Sequence, residues 1–255
     1  MDEIVSNELR LVRGDASLVV NLTKRYLVGE LMDDPNLAEK DHHRALHGLR
    51  RVNRLSRTAR IIATAIIRHC NKERLGIIRV LDLACGGGDV TVQVSKLLKR
   101  ANVTAEVHGW DCSQTAVGFA RRQCDRGSHS QVQFDVANAL VEAPNRSFDF
   151  VYCTLFLHHL SDDDAHRLLG VMWRMASQLV LIDDLRRSTM GYALAVVGCQ
   201  VLSRSPIVHV DGPLSVRAAF TEAEILELSD RCGLPLPTIQ RHWPHRFLLT
   251  WTAQR

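Results

Sequence analysis

The sequence has 255 residues, of which 46% are hydrophobic, and a formal net charge of +4. This length and composition suit one large domain or a core with an appended cap, and the charge is too small to indicate a nucleic-acid-binding protein by itself. The seven cysteines include no C-x-x-C pair. Neither a zinc site nor a disulfide framework is therefore indicated, and we expect reduced thiols in the cytoplasm.

The first predicted element is an amphipathic helix within residues 41–67. Its apolar side chains recur in steps of three and four, as one helix face requires: Leu46, Leu49, Val52, Leu55, Ala59, Ile62 and Ile66. The opposite face carries six arginines between residues 44 and 60, which is typical of a solvated basic surface. We expect residues 1–75 to form a helical cap and residues 76–255 to form the core.

An alternation of strands and helices begins at residue 79. Strands are predicted at 79–84, 105–110, 131–134, 148–154 and 178–183, and helices near 89–100, 113–125 and 161–174. This alternation builds a parallel sheet with helices on both faces. Near the end of the chain, TIQRHW and RFLLTWTA are two strand-like runs joined by the short PH. They predict an antiparallel hairpin that closes the sheet.

Residues 186–220 fall outside this alternation and are predicted to be an insertion that adds to the cap. They contain an apolar helix at about 190–202, which is shorter than the roughly 20 residues needed to span a bilayer. This helix could line an apolar pocket, rest on a membrane surface or be buried in the core. The next segment, TEAEILELSDRCG, predicts a helix with Thr221 as its N-cap and Glu224 at the capping-box position.

A glycine-rich loop follows the first predicted strand, in RVLDLACGGGDVT. A dinucleotide fold would have a third glycine where Thr91 stands, and Asp82 in the strand would repel a pyrophosphate. An acid there suits a ligand with positive charge and hydrogen-bond donors. The pattern Asp82-x-Ala84-x-Gly86-x-Gly88 resembles the first motif of the class I S-adenosylmethionine-dependent methyltransferases, with alanine for the family's first glycine. The resemblance implies an α/β, Rossmann-like fold with a seven-stranded, mostly parallel sheet.

Acids also end the second and third predicted strands, at Asp111 and Asp135. The resemblance implies that Asp111 binds the ribose diol and that Asp135 accepts from the adenine amino group. The segment FDFVYCTLFLHHLSDDD looks like the family's fourth motif, which lies beside the transferred methyl group. The implied cofactor is S-adenosyl-L-methionine, and the implied contacts are Asp82, Ala84, Gly86, Gly88, Asp111, Cys112, Asp135, Val136 and Cys153.

The paired histidines His158 and His159 follow the fourth predicted strand and are the candidate catalytic residues. A phenol has a pKa of about 10 and histidine one of about 6.5, so an imidazole could take the proton from a phenolic hydroxyl group. The resemblance favours His159 for this role. No pair of histidines has the spacing expected of a metal site. Candidate contacts for the acceptor are His43, Leu194, His209 and Arg217.

Longer stretches narrow the resemblance. LFLHHLSDDDAHRLL, IDDLRRSTMGY and VHVDGPLSVRAAFTEAEI look like the ubiquinone- and menaquinone-biosynthesis-like O-methyltransferases encoded beside type III polyketide synthases. That group implies O-methylation of a hydrophobic phenolic or quinol-type small molecule, such as an alkylresorcinol. Peripheral contact with a membrane through the 190–202 helix is a further expectation.

Two alternatives differ in class. One is an RNA (tRNA) methyltransferase whose six N-terminal arginines contact phosphates. The aromatic content of 5% and the absence of aromatic residues between those arginines argue against nucleic acid, as does Cys153-Thr154-Leu155-Phe156 in place of a base-amine motif. The other is a catalytically silent scaffold, which the retained acids argue against.

Overall fold

The centre of the molecule is a seven-stranded sheet. The computed structural model describes residues 20–31, 37–126, 132–140 and 148–253. The strands are β1 (Ile78–Leu83), β2 (Ala105–Asp111), β3 (Val132–Val136), β4 (Phe148–Thr154), β5 (Ala176–Leu185), β6 (Thr238–His242) and β7 (Arg246–Thr252). Their order is β3-β2-β1-β4-β5-β7-β6, with β1 to β5 parallel and β7 antiparallel to β5 and β6. The predicted α/β fold with a C-terminal hairpin is confirmed.

Eight α-helices surround the sheet within the described residues. They are α1 (Glu39–Ser56), α2 (Thr58–Glu73), α3 (Asp89–Arg100), α4 (Gln114–Arg126), α5 (Asp162–Met175), α6 (Thr189–Leu202), α7 (Pro206–Ala218) and α8 (Glu222–Arg231). The prediction of one helix across residues 41–67 was wrong, because Arg57 adopts a left-handed φ of 56° that separates α1 from α2. The apolar spacing continues across this break, so periodicity alone does not detect it.

Helix α2 packs directly on the sheet. Its Ile62 and Ile66 are fully buried in the same cluster as Phe150 of β4. Burying each isoleucine side chain contributes roughly 1.5–3 kcal/mol. The predicted cap, residues 1–75, included this helix. In the structure α2 belongs instead to the helical layer that covers the sheet. Residues 1–19 of that predicted cap lie outside the described residues.

Helices α6 and α7 pack against each other, and α7 also contacts the short turn Leu157–His159 that follows β4. A Cβ at Gly212 would collide with the sulfur of Cys199, so glycine allows α7 to approach α6 closely. Sequence analysis did not predict α7, because Gly212 and Pro213 interrupt its pattern. Across the described parts of the chain, no helix is both long and apolar enough to cross a membrane.

Helix α8 begins with the predicted capping box. The Thr221 hydroxyl accepts a hydrogen bond from the Glu224 backbone N–H at 3.3 Å, and the Glu224 carboxylate accepts one from the Thr221 backbone N–H at 2.8 Å. Two of the N–H groups that a helix start leaves unpaired are thereby satisfied, a contribution of about 1 kcal/mol for the cap residue. This prediction is confirmed.

Candidate functional site

The loop between β1 and α3 turns through residues with positive φ, which are Ala84 (55°), Gly86 (52°) and Gly88 (72°). A Cβ on Gly88 would lie 2.6 Å from the Phe134 ring, whereas one on Gly86 would meet nothing within 4 Å. Gly88 therefore lets the loop approach β3, and Gly86 leaves open space above the loop for a ligand. Ala84 holds a left-handed conformation at a cost of about 1 kcal/mol relative to glycine.

The carboxylate of Asp111, at the end of β2, links the glycine loop to the segment that follows β2. Its Oδ2 accepts a hydrogen bond from the Gly86 N–H at 2.8 Å, and its Oδ1 accepts one from the Ser113 N–H at 2.8 Å. Each carboxylate oxygen has a second lone pair. The held carboxylate can therefore also accept from two adjacent hydroxyl groups of a ligand above Gly86.

Asp82 lies near the end of β1 and is only 1% exposed. Its Oδ2 accepts a hydrogen bond from the Thr91 hydroxyl at 2.6 Å, while its Oδ1 has no hydrogen-bond partner among the described residues. Burial raises the pKa of Asp82 to about 8, against the opposing effects of the Thr91 and Tyr152 hydroxyl groups. A ligand that brings a donor or a positive charge would favour the ionised form, so this orphaned oxygen fits the predicted ligand.

The other predicted cofactor residues occupy different surroundings. Asp135 on β3 is half-exposed and lies 3.7 Å from the Arg121 guanidinium group, and the next residue, Val136, is exposed beside Asp111 in the sheet register. Cys112 is exposed as well. Cys153 on β4 is fully buried in the core, so only its backbone remains to contact a ligand.

A cavity of about 380 Å³ lies beside the ends of β4 and β5, under α6 and α7. Most of its wall is apolar and includes Val52, Leu55, Leu155, Leu194, Val208 and Trp243. The polar groups in the wall are Glu30, Ser56, His158, His159, Asp211, Ser215, His245 and Arg246. An apolar cavity with few polar groups suits a small hydrophobic molecule held in one orientation.

His158 is buried between two carboxylates. Its Nδ1 lies 2.6 Å from Oδ1 of Asp184, and its Nε2 lies 3.7 Å from Oε1 of Glu30. Burial alone would lower the pKa of His158, but the charge and hydrogen bond of Asp184, together with Glu30, outweigh it and raise the pKa to about 10. His158 is therefore a cation at neutral pH, so it has no lone pair with which to accept a proton.

His159 is the more accessible of the pair. Its ring lies against that of His158, with 4.3 Å between centroids, and its Nε2 is 3.8 Å from Oε2 of Glu30. Burial would raise the pKa of Glu30, but His159, His158 and the Ser215 hydroxyl outweigh burial and lower it. Because His158 is buried and paired with Asp184, the more accessible His159 is the histidine of the pair suited to proton transfer.

Glu30 comes from the segment 20–31, which two arginines hold in place. The Arg25 guanidinium group donates to the Leu160 carbonyl at 2.8 Å and pairs with Asp162 at 2.5 Å. The buried Arg187 donates from Nε to the Leu22 carbonyl at 3.0 Å. These contacts position Glu30 beside the turn that contains both histidines.

The ligand atoms of Glu30, His158 and His159 lie within 4.8 Å of one another, close enough to hold a metal ion. Sequence spacing did not indicate this grouping, because Glu30 is remote in the chain. The imidazole of His158 points its two nitrogens at carboxylates and is protonated at neutral pH. In this structure the three side chains form an ion-paired network.

Of the predicted acceptor contacts, the cavity wall contains Leu194 but not His43, His209 or Arg217. His43 packs on Phe119, at 5.0 Å between ring centroids, on the side of the glycine loop. His209 bonds through Nε2 to the Ser203 carbonyl at 2.8 Å. The Arg217 guanidinium group lies over the Tyr26 ring at 4.0 Å.

Glu30 and Asp184 are site residues that were not expected from the sequence. Asp184 is the second acid of IDD at the end of the buried strand β5, and a fully buried carboxylate needs a partner. That pair of acids was a usable signal. Glu30 had no comparable signal, since nothing in the surrounding sequence places it beside the histidines.

Comparison with known proteins adds a family and a set of relatives. The family described as a methyltransferase domain matches residues 80–178. A ubiquinone biosynthesis O-methyltransferase of Pseudomonas putida is 26% identical over 173 residues, covering 65% of this chain and 71% of that protein. The enzyme of the same name from Bradyrhizobium diazoefficiens is 28% identical over 130 residues, covering 51% of this chain and 49% of the relative.

Among solved structures, magnesium protoporphyrin IX methyltransferase from Synechocystis PCC 6803, crystallised with bound S-adenosylmethionine, superposes with a TM-score of 0.53. The two sequences are 14% identical, and the match covers 88% of each chain. This likeness is one of fold.

Proposed function

We propose that this chain is a class I S-adenosylmethionine-dependent methyltransferase that methylates a hydroxyl oxygen of a hydrophobic phenolic or quinol-type small molecule. The methyltransferase-domain match and the O-methyltransferase relatives support S-adenosylmethionine as its cofactor. The observation that carries this proposal is the apolar cavity whose wall includes His159 and Glu30. The O-methyltransferase names of the relatives support transfer to oxygen. Association with polyketide synthesis remains part of the proposal.

The strand order supports a site in two halves. Between β1 and β4 the order changes direction along the sheet, and ligands of open α/β sheets bind at the carboxyl ends of strands at such a point. Asp82, Gly86 and Asp111 would hold the cofactor on the β1–β2 side. Asp135 would serve the adenine end on the β3 side. The acceptor would lie on the other side of the point between β1 and β4 where the strand order changes direction, in the cavity beside β4 and β5.

When bound, S-adenosylmethionine supplies an electrophilic methyl group, so the protein has chiefly to position the acceptor and manage one proton. In our proposal the apolar wall orients the ring of the acceptor and excludes water. The imidazole of His159 takes the hydroxyl proton as the oxygen is methylated. Glu30, 3.8 Å from Nε2 of His159, stabilises the imidazolium that forms.

The decisive experiment supplies the enzyme with methyl-labelled S-adenosylmethionine and a panel of phenolic lipids, quinols and tRNA. Product mass spectrometry should find the label on a hydroxyl oxygen of an apolar phenol or quinol. Label on tRNA alone would establish the RNA alternative and contradict the proposal. Label on carbon or nitrogen of a small molecule would be consistent with the cavity as the acceptor site but would refute methylation at oxygen.

Asp111→Ala tests the cofactor half of the site. The substitution removes both the proposed ribose contact and the anchor of the Gly86 N–H, so we expect S-adenosylmethionine binding to weaken by about 1.5–3 kcal/mol, the range for a hydrogen bond to a charged group. Isothermal titration calorimetry measures the change. Asp149→Asn, which alters a carboxylate bonded to the Arg79 N–H elsewhere, is the control. Unchanged affinity in Asp111→Ala would refute the ribose assignment.

Leu194→Asp with Val197→Asp tests the acceptor half. Both side chains line the cavity, and a carboxylate there would be desolvated by an apolar acceptor. We expect loss of turnover with an apolar phenol, while calorimetry still detects cofactor binding. Ile77→Asp with Leu236→Asp adds the same charges at exposed positions and should keep turnover. Full activity of the cavity variant would place the acceptor elsewhere.

A further inference from the structure

A second depression, a groove of about 1090 Å³, adjoins the cavity. Its wall is built from the end of α1, from α2 and from the β6–β7 hairpin. Leu55, Ser56, Leu202 and Trp243 line both the groove and the cavity. The groove and the cavity are therefore neighbouring spaces separated by shared side chains.

Five arginines line this groove, and we refer to it as the arginine groove: Arg51, Arg54, Arg57, Arg60 and Arg68. All five are exposed. Within the described ranges, no carboxylate lies at ion-pair distance from any of these guanidinium groups. A concentration of unpaired positive charge in a concave surface attracts an anionic partner.

An apolar surface adjoins the arginines. Met190, Val197 and Val201 recur at steps of seven and four along α6, which puts them on one face of the helix, and we call them the aliphatic stripe. All three are exposed, Val201 to 78%, and Trp243 at the groove is exposed to 60%. Val197 and Val201 also line the cavity together with Leu55 of α1, so this part of the stripe lies next to the helix that bears Arg51 and Arg54.

We propose that the face formed by the arginine groove and the aliphatic stripe docks onto an anionic phospholipid bilayer, from which the acceptor enters the cavity. The arginines would contact lipid phosphates, and the stripe and Trp243 would enter the apolar boundary beneath them. Basic residues beside exposed aliphatic and tryptophan side chains are the composition of an interfacial membrane surface. Entry of the acceptor rests on the proposed function, whereas docking on the bilayer requires no turnover.

An RNA surface fits the same face less well. Phosphates would use the arginines but leave the aliphatic stripe exposed. Single-stranded bases stack on aromatic side chains, and Trp243 is the one aromatic residue among the described residues that line the groove. The stripe therefore distinguishes a bilayer from a polynucleotide.

The test measures co-sedimentation of the full chain with vesicles of phosphatidylcholine, alone or mixed with phosphatidylglycerol. We expect binding to the mixed vesicles, weakened by salt, and little binding to phosphatidylcholine alone. Arg51→Glu with Arg54→Glu should lower the affinity by about 30-fold or more, since each basic residue contributes about a factor of five near an anionic surface. Met190→Ser, outside the cavity wall, should lower the binding that persists at high salt.

Lys99→Glu with Arg100→Glu makes the same change in formal charge at the exposed end of α3 and should leave vesicle binding unchanged. Calorimetry with S-adenosylmethionine reports whether each variant is folded. If Arg51→Glu with Arg54→Glu no longer binds S-adenosylmethionine, Arg60→Gln with Arg68→Gln on α2 provides the same test of vesicle binding. Equal binding to both kinds of vesicle, or full binding by a folded arginine variant, would overturn the proposal. Arginine-dependent binding of tRNA without vesicle binding would assign the face to RNA.

Discussion

His159→Ala is expected to lower kcat by about 10²–10⁴ at neutral pH with little change in cofactor affinity, because a positioned general base contributes that much. The loss should shrink as the pH approaches about 10, where a phenol ionises without help. Steady-state rates with a phenolic acceptor across this pH range, together with calorimetry for S-adenosylmethionine, measure both effects. The shape of the pH dependence separates proton transfer from simple positioning.

The matched control is His209→Ala, since His209 bonds to the Ser203 carbonyl and is absent from the cavity wall. It should retain kcat. Wild-type kcat in His159→Ala at neutral pH would remove this residue from proton transfer. An equal loss at every pH would assign it to positioning of the acceptor alone.

Asp184→Asn is expected to lower the free energy of unfolding by about 3–5 kcal/mol near pH 6, because it leaves the buried imidazolium of His158 without its closest counter-ion. The pKa of His158 is raised from its ordinary 6.5 to about 10. Its stabilising contribution is therefore complete below pH 6.5 and is lost as the pH rises through 10. The pKa of Asp184 is lowered, so its contribution is lost only as the pH falls below the ordinary value of 3.8.

Urea unfolding near pH 6 and near pH 10 tests this pH dependence. The difference in free energy of unfolding between the wild type and Asp184→Asn should be large near pH 6 and small near pH 10. Asp163→Asn is the control, because Asp163 is 87% exposed beside Arg231 at 3.7 Å and such surface pairs contribute at most about 1 kcal/mol. A stability loss of the same size at both pH values would contradict a charged His158–Asp184 pair.

The cofactor half could be predicted from the sequence because its residues are local. Asp82 lies near the end of β1, Gly86 and Gly88 lie in the loop that follows it, and Asp111 ends the next strand along the chain. Strands buried on both faces form continuous apolar runs, so their ends, and the acids at them, could be located to within a few residues.

The acceptor half could be predicted only in part, because it is assembled from remote segments. The turn with His158 and His159 follows β4, and Leu194 belongs to α6, and all three were identified. Glu30 reaches them through contacts of Arg25 and Arg187 with carbonyl groups, which no sequence period reveals. The state of His158 likewise depended on tertiary structure, since only burial beside Asp184 makes it a cation.

The strand order also bears on how such an enzyme changes its specificity. The proposed nucleoside contacts belong to β1, β2 and β3, whereas the cavity wall draws on Glu30, α1, the ends of β4 and β5, the helices α6 and α7, and the turn between β6 and β7. Substitutions in α6 and α7 can therefore accumulate without altering the proposed S-adenosylmethionine site. For protein engineering, this makes residues 186–220 an exchangeable cassette: a graft from a relative could redirect the enzyme to a new acceptor while leaving its hold on the donor intact.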